Sequence, residues 1–408
     1  MKKELPCDVL TAAQQRVKYC FDNFKKVYVS FSGGKDSTVL FHLAAEEARA
    51  QKRTLGVLII DLEAQYALTI EHIEQMCSDY RDCIEVFWVC LPLKLRNAVS
   101  NYEPVWCAWD PDSVAAWVRQ PPKTSGVITD PTHFDFFEGR MEFEEFVELF
   151  AEWYSGGKST AALVGIRADE SLNRWRTICK WEKETHFGKR WTTKVTDFTF
   201  NAYPIYDWHV TDIWKYHARF PRCRHNQIYD RMHAAGLSLS QMRLCQPYGD
   251  DQRRGLWLYH LLEPQTWGRI VARVSGANSG ALYIEEKGNM TGYGKIELPQ
   301  GHTWKSFCNL LLATMPEVTR MHYLERFQSW LRGWHDRGYT NGIPDFAPPE
   351  LEKKYWAPSW RRLCKVLLRN DWWCKGLGMT QPKSEAYAKY MEIKRSRKRE
   401  AAQAHSAT

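Results

Sequence analysis

Apolar and polar positions alternate in blocks along the first 170 residues, and the blocks have two lengths. Residues 27–31 (VYVSF), 55–61 (LGVLIID), 84–91 (IEVFWVCL) and 160–166 (TAALVGI) are short, nearly continuous apolar runs rich in β-branched and aromatic side chains. Runs of this kind predict buried strands. Between them, residues 38–50, 68–81 and 142–154 repeat apolar positions at helical spacing with an acidic or polar opposite side, which predicts helices. Strands alternating with helices imply crossover connections and a mostly parallel, doubly wound α/β sheet of the Rossmann-like kind. Residues 92–131 are less regular and rich in Pro and Trp, whereas the pattern after residue 205 is helical.

Beyond residue 238 the texture changes to a Gly-rich section (GANSGALYIEEKGNMTGYGK) and then to amphipathic helices between residues 304 and 338. A Pro-rich stretch, NGIPDFAPPE (341–350), precedes a basic, Trp-rich end. The expected organisation is therefore a nucleotide-binding domain over 1–237, an extension over 238–345 and a carboxyl-terminal segment over 346–408. No period of 20 to 50 residues repeats, which excludes a solenoid.

The chain has 408 residues, 44% hydrophobic and 25% charged, with 19 Trp, 19 Tyr and 18 Phe. This is enough apolar surface for a large core, so a disordered tail is excluded. No apolar run approaches the roughly 20 residues of a membrane span, and the first ten residues lack a signal-peptide core, so a cytoplasmic protein without membrane contact is expected. Twelve cysteines without a CxxC pair predict reduced, mostly buried thiols rather than a disulfide framework. The net charge of +8 is concentrated at the carboxyl end: from residue 351 onward there are 14 Lys or Arg and 5 Asp or Glu. The run KRSRKRE (394–400) is either a solvated helix end or a contact for nucleic acid.

One segment carries the clearest chemistry. In YVSFSGGKDSTVLFHLAAEE (28–47) a buried strand ending at Ser30 leads into Ser32, Gly33, Gly34, Lys35, Asp36, Ser37 and Thr38, and a helix starts at once. Two glycines allow a tight turn with backbone amides directed at an anion, the helix adds its positive end, Lys35 adds a full charge, and the hydroxyls add donors. The spacing is not that of a Walker A loop, which needs GxxxxGK followed by Ser or Thr. An aspartate beside a polyphosphate must cap the helix or hold Mg²⁺, so Asp36 is a candidate metal ligand. Asp61, at the end of the second strand, either receives a ribose or adenine hydrogen bond or caps a turn. Gly165, Arg167 and Arg174 follow the fourth strand, where the strand ends of a doubly wound sheet open into a ligand crevice, and the two arginines either take phosphate oxygens or form surface salt bridges with Asp169 or Glu170. A second string, SGGKST (155–160), has a helix before it and a strand after it, and reads as a turn. Cys223, His209, His217, His225 and His233 match no zinc spacing and read as surface or capping groups.

SFSGGKDST resembles the PP-loop of ATP pyrophosphatases and phosphoadenosine phosphosulfate (PAPS) reductases. LIIDLEAQY (58–66), LVGIRADES (163–171) with Arg174, and YPIYDWHVTDIWKY (203–216) agree with that family in order. The resemblance implies a HUP-type fold, an adenine nucleotide (ATP, PAPS or a relative) with Mg²⁺, adenosine read near residues 58–66, and phosphate or sulfate contacts from Arg167 and Arg174. With LSLSQMRLCQPYGDDQRRGLWLYHLLEP (237–264), the whole chain resembles a subfamily of enterobacteria and their phages that includes the immunoglobulin-binding regulator A protein. That likeness implies a ParB/sulfiredoxin-like partner protein.

Three functional expectations follow. The first is cleavage between the α and β phosphates, with adenylation of a substrate or release of AMP and pyrophosphate, using Lys35, Arg167 and Arg174. The second is a regulatory or nucleic-acid-binding module that senses the nucleotide without turnover. The third, PAPS reduction or sulfur transfer, lacks the Glu-Cys-Gly segment of the reductases and the clustered cysteines of iron–sulfur relatives, and Cys374 between Trp373 and Lys375 reads as a packing residue.

Overall fold

The computed structural model describes residues 6–100, 102–179, 183–239, 241–249, 256–277 and 296–380. The basic run 394–400 and most of the Gly-rich section, 278–295, lie outside the described residues. The chain forms two compact units. The first comprises residues 1–94, 107–246 and 261–266, and the second comprises 95–106, 247–260 and 267–408.

The first unit opens with helix α1 (Val9–Asn23), capped by Asp8, whose carboxylate accepts the Thr11 N–H. Then β1 (Lys26–Ser30), α2 (Lys35–Ala50), β2 (Leu55–Ile60), α3 (Ala67–Asp79) and β3 (Ile84–Val89) alternate as the apolar blocks predict. β4 (Leu93–Arg96) and β5 (Val105–Ala108) pair in a separate ribbon. After β6 (Val127–Ile128), α4 (Phe143–Ser155) leads through Gly156 and Gly157, both at positive φ, into β7 (Thr160–Val164). SGGKST is thus the turn between a helix and a strand, with glycine required at the left-handed positions. α5 (Leu172–Cys179), β8 (Thr192–Lys194), β9 (Thr199–Ala202), α6 (Val210–Arg219) and α7 (Ile228–Ala234) follow.

Seven strands form one sheet in the order β6-β3-β2-β1-β7-β9-β8, all parallel except the β8–β9 pair. Tyr28, Leu58, Phe87, Val89 and Ala162 face α4 and its aromatic row Phe146, Phe150 and Tyr154. The alternate positions Val27, Val29, Val57, Ile59, Trp88, Ala161 and Leu163 are equally buried. A sheet covered on both faces is what crossover helices produce, and it explains why the strands read as continuous apolar runs. β1 has β2 on one side and β7 on the other, so the order reverses between β1 and β7. That reversal opens a crevice at the carboxyl ends of the two strands.

In the second unit, α8 (Leu256–Leu262) and α9 (Pro264–Arg273), each shared in part with the first, precede α10 (Trp304–Thr314), α11 (Glu317–His335), α12 (Pro349–Lys353) and α13 (Trp360–Leu368). Trp304, Cys308, Tyr323, Phe327 and Trp330 share one core with Leu363, Cys364, Leu367 and Trp372. Residues before and after the 341–350 stretch therefore bury a common apolar surface.

Candidate functional site

The glycine-rich turn lies at the reversal point. Gly33 has φ +70°, a region open to glycine at no steric cost, and a Cβ there would meet Thr69 and Ile73 at 2.9 Å. Gly34 is the N-cap of α2, and its carbonyl accepts the Thr38 hydroxyl at 2.8 Å and the Ser37 hydroxyl at 3.0 Å. Ser32 is exposed, its Oγ 3.1 Å from Ser37 Oγ. Across the crevice Gly165 comes so close that a Cβ would stand 3.1 Å from Ser37 Cα and 3.2 Å from its nitrogen. The segment after β7 is thereby set directly against the first turn of α2.

The next residue but one, Arg167, is buried at 4% exposure and donates from Nε to Asp36 Oδ1 at 2.5 Å. Lys35, equally buried, places Nζ 3.0 Å from Asp36 Oδ2 and donates to the Met242 carbonyl at 3.2 Å. Arg167 also pairs with Asp169 and reaches Glu170 at 3.7 Å, while Arg174, half exposed, pairs with Glu170. Sequence reasoning placed Lys35, Asp36, Arg167 and Arg174 in one site, and the structure brings them into one chain of ion pairs in which three cations meet three carboxylates. Ser30 ends β1 next to this chain without a side-chain role of its own in it.

Both Asp36 oxygens hold cations, and among the described residues no group of three or more His, Cys, Asp or Glu side chains gathers as a metal site. Among the described residues the Mg²⁺ expectation rests on Asp36, whose two oxygens face Lys35 and Arg167.

Asp61 is fully buried and its carboxylate is engaged: Oδ2 accepts the Trp88 Nε1–H at 2.8 Å, and Oδ1 accepts the Glu63 N–H at 2.9 Å and the Arg119 guanidinium. Glu63, at φ +64°, accepts the N–H groups of Trp109 at 2.8 Å and Val118 at 3.0 Å. The two acids thus pin residues 109–119 over the end of β2.

Several residues given no part in the loop by the sequence complete the site, among them His217, expected at the surface or as a cap but buried at 7% exposure. The Tyr229 hydroxyl accepts the Lys35 N–H at 3.1 Å. Asn226 donates to the Gly33 carbonyl at 3.1 Å and to Thr69 Oγ1 at 3.0 Å. His217 places Nε2 3.0 Å from the Lys35 carbonyl and Nδ1 2.9 Å from that of Cys223. Burial holds the His217 pKa below its ordinary value, although both carbonyls act in the opposite direction. His72 Nε2 lies 2.9 Å from Thr38 Oγ1, and burial pushes its pKa down to about 3. All these groups reach α2 and its loop from more than 30 residues away in sequence, so local pattern carries no sign of them. His209, in the capping role expected of it, forms the capping box of α6 with Asp212, and Asp207 pairs with Arg16 at 2.7 Å.

None of the twelve cysteines is joined in a disulfide. Cys223, the thiol packed under the α2 backbone, is buried and its pKa is raised by desolvation. Cys374 is buried as well, and desolvation pushes it up to about 12. Neither has the lowered pKa of a nucleophilic thiol.

The fold and the turn at its reversal point are those of the Rossmann-like PP-loop class. The chain belongs to the phosphoadenosine phosphosulfate reductase domain family, whose model matches residues 26–236. Residues 236–343 match a second family, described as a domain of unknown function (DUF3440). The uncharacterized protein YbdN of Escherichia coli (strain K12) is 42% identical over 402 residues, 98% of this chain and 97% of that protein. Among solved structures, a PAPS reductase from Candida auris in its phosphate complex is similar at 12% identity, over 54% of this chain and 84% of that one, with a TM-score of 0.30. The U34-tRNA thiolase NcsA from Methanococcus maripaludis is similar at 11% identity over 72% and 85%, with a TM-score of 0.31. No helix among the described residues is long and apolar enough to cross a membrane.

Proposed function

We propose that the chain binds an adenine nucleotide, ATP or a PAPS-like relative, at the Ser32 to Thr38 turn and, with ATP bound, cleaves the bond between the α and β phosphates. One observation carries the reading: the buried cations Lys35 and Arg167 converge on Asp36 at the amino end of α2, within the crevice where the strand order reverses. Two buried cations held at a helix N-terminus suit a polyphosphate. An acceptor oxygen or water forms the new bond to the α phosphorus, the bond to the bridging oxygen breaks, and pyrophosphate leaves with the electron pair. Lys35, Arg167 and the loop amides meet the charge on that leaving group, and this stabilisation needs no nucleophilic side chain. Arg174, tied to Glu170 at the rim, orients Glu170 beneath Arg167. Asp61 acts one step removed, through Arg119 and Trp109.

The buried, high-pKa state of Cys223 and Cys374 supports cleavage over sulfonate reduction. A ParB/sulfiredoxin-like partner, kinship with the immunoglobulin-binding regulator A protein, contact of the basic 394–400 run with nucleic acid, and a cytoplasmic location complete the reading. The test is product analysis with ATP and with PAPS. ATP gives AMP or an adenylated acceptor plus pyrophosphate, and Lys35→Ala abolishes this with an unchanged circular dichroism spectrum. Turnover in Lys35→Ala equal to the parent overturns the assignment, and tight binding without pyrophosphate release selects the sensing module.

A further inference from the structure

The second unit contains a cavity of about 640 Å³, between the amino end of α10, the last turn of α11, residues 339–345 and the start of α13. A volume of this size lies in the range of small-molecule sites. Its walls contribute three basic side chains, Lys305, Arg332 and His335, and two aromatic rings, Tyr339 and Trp360. Asp345 is the sole carboxylate among them, and it is committed elsewhere: it accepts the N–H groups of Trp304 at 3.0 Å and Lys305 at 2.8 Å, capping α10. Among the described residues, no carboxylate pairs with Lys305 or Arg332. His335 Nδ1 lies 3.6 Å from Asp336 Oδ1, so the cavity offers the positive charge and hydrogen-bond donors of Lys305 and Arg332 against the one lining carboxylate, Asp345, which faces the start of α10.

Helix stability explains only part of this. Arg332 and His335 sit in the last turn of α11, where cations complement the helix dipole. Lys305 is in the first turn of α10, where a cation opposes the dipole, and Asp345 is needed there to offset it. Lys305 Nζ instead lies 5.6 Å from the centroid of the Trp360 ring, so charge and aromatic surface are presented together. The main chain that carries the ring is held in place, because the Trp360 backbone N–H donates to the Pro344 carbonyl and the Arg361 backbone N–H to that of Asp345.

We propose that this cavity is a second ligand site, separate from the phosphate loop, that binds a phosphorylated planar compound of mononucleotide size. Lys305, Arg332 and His335 read the phosphate, and Trp360 and Tyr339 flank the ring system. The site is independent of what the phosphate loop does.

AMP is the probe, titrated by calorimetry into the full chain carrying Lys35→Ala, so that the outcome does not depend on the loop. AMP binds saturably and at least ten-fold more tightly than adenosine, and its binding weakens at least ten-fold when Lys305→Ala and Arg332→Ala are added together. Arg332→Gln alone, at an exposed position that keeps the side chain's bulk, produces part of that loss with the unfolding midpoint of the free chain unchanged. AMP that binds no more tightly than adenosine, or that binds equally after both substitutions, overturns the proposal.

Discussion

Asp36 and Arg167 stand 131 residues apart in sequence and 2.5 Å apart in space, with the arginine Nε–H donated to the aspartate Oδ1. Because Lys35 takes the other carboxylate oxygen, this one acid bridges both buried cations of the site. Asp36→Asn therefore has two opposite effects. Leaving buried Lys35 without its carboxylate, and Arg167 with Asp169 and Glu170 alone, destabilises the chain by about 3 kcal/mol. It also frees both for an incoming anion, so pyrophosphate binds on the order of ten-fold more tightly. Urea midpoints and calorimetric titration with pyrophosphate measure the two effects separately, and weaker pyrophosphate binding in the variant contradicts the role given to Asp36.

Gly165 sets the spacing between the two halves of the crevice. An added methyl would lie 3.1 Å from Ser37 Cα and 3.2 Å from Ser37 nitrogen, both backbone atoms of a buried helix start that cannot swing aside. Gly165→Ala costs about 1–3 kcal/mol by overpacking. Because the strain falls between Arg167 and the loop amides, nucleotide affinity drops along with stability. Unfolding midpoints with and without nucleotide test this, and a variant as stable and as well stabilised by nucleotide as the parent excludes the close approach.

Asp61 is a positioning residue in this geometry, with Trp88, Arg119 and the Glu63 amide already bound to its carboxylate. Asp61→Ala leaves the Arg119 charge and the Trp88 N–H without their partner in a buried place, a loss of about 3–5 kcal/mol. The blue shift and intensity of tryptophan emission change with it, because Trp88 loses its acceptor. An acid that served only to bind ribose would raise KM and leave the urea midpoint where it was.

The strands that proved legible from sequence are the central ones. β1, β2, β3 and β7 are buried on both faces, so each is a continuous apolar run that survives without knowledge of its neighbours. β8 (TTK) and β9 (TFNA) are short, β6 has two residues, and only the pairing of β9 to β7, β8 to β9 and β6 to β3 makes them strands. The site divides in the same way. The loop, Arg167 and Arg174 are local strings at strand ends, whereas Tyr229, Asn226, His217 and Met242 arrive from 182 to 207 residues away and carry no local signature. The saturation of Asp61 was equally hidden, since it depends on Trp88 and Arg119 on other elements.

Acid destabilises the first unit through the histidines around α2. Burial holds His42 down at about 4 and His72 at about 3, and lowers His217 as well. In the unfolded chain each titrates near 6.5, so between that value and the folded pKa the unfolded state binds more protons, and stability falls as the pH falls through this window. At pH 5.5 the loss is about 1 kcal/mol for each of His42 and His72. Urea midpoints at pH 7.5 and 5.5 measure it, and His42→Gln removes its share of the difference. A pH dependence identical in His42→Gln and the parent would falsify the assignment.

Tyr229 occupies the place where the loop's own chemistry calls for an anion. Its hydroxyl accepts the Lys35 N–H, the first amide of α2, and stands 3.5 Å from where a Gly34 side chain would begin. Tyr229→Phe leaves that buried amide unpaired, which lowers stability by about 1–3 kcal/mol. A phosphate oxygen entering the turn then takes over the vacated hydrogen bond, which in the parent it must contest with the hydroxyl. The rise in unfolding midpoint on adding saturating pyrophosphate is therefore larger in Tyr229→Phe than in the parent, even though the free variant starts lower. An equal rise in both proteins means that the Lys35 amide does not face the bound anion, and the amino end of α2 then cannot be the place where a nucleotide's phosphates are held.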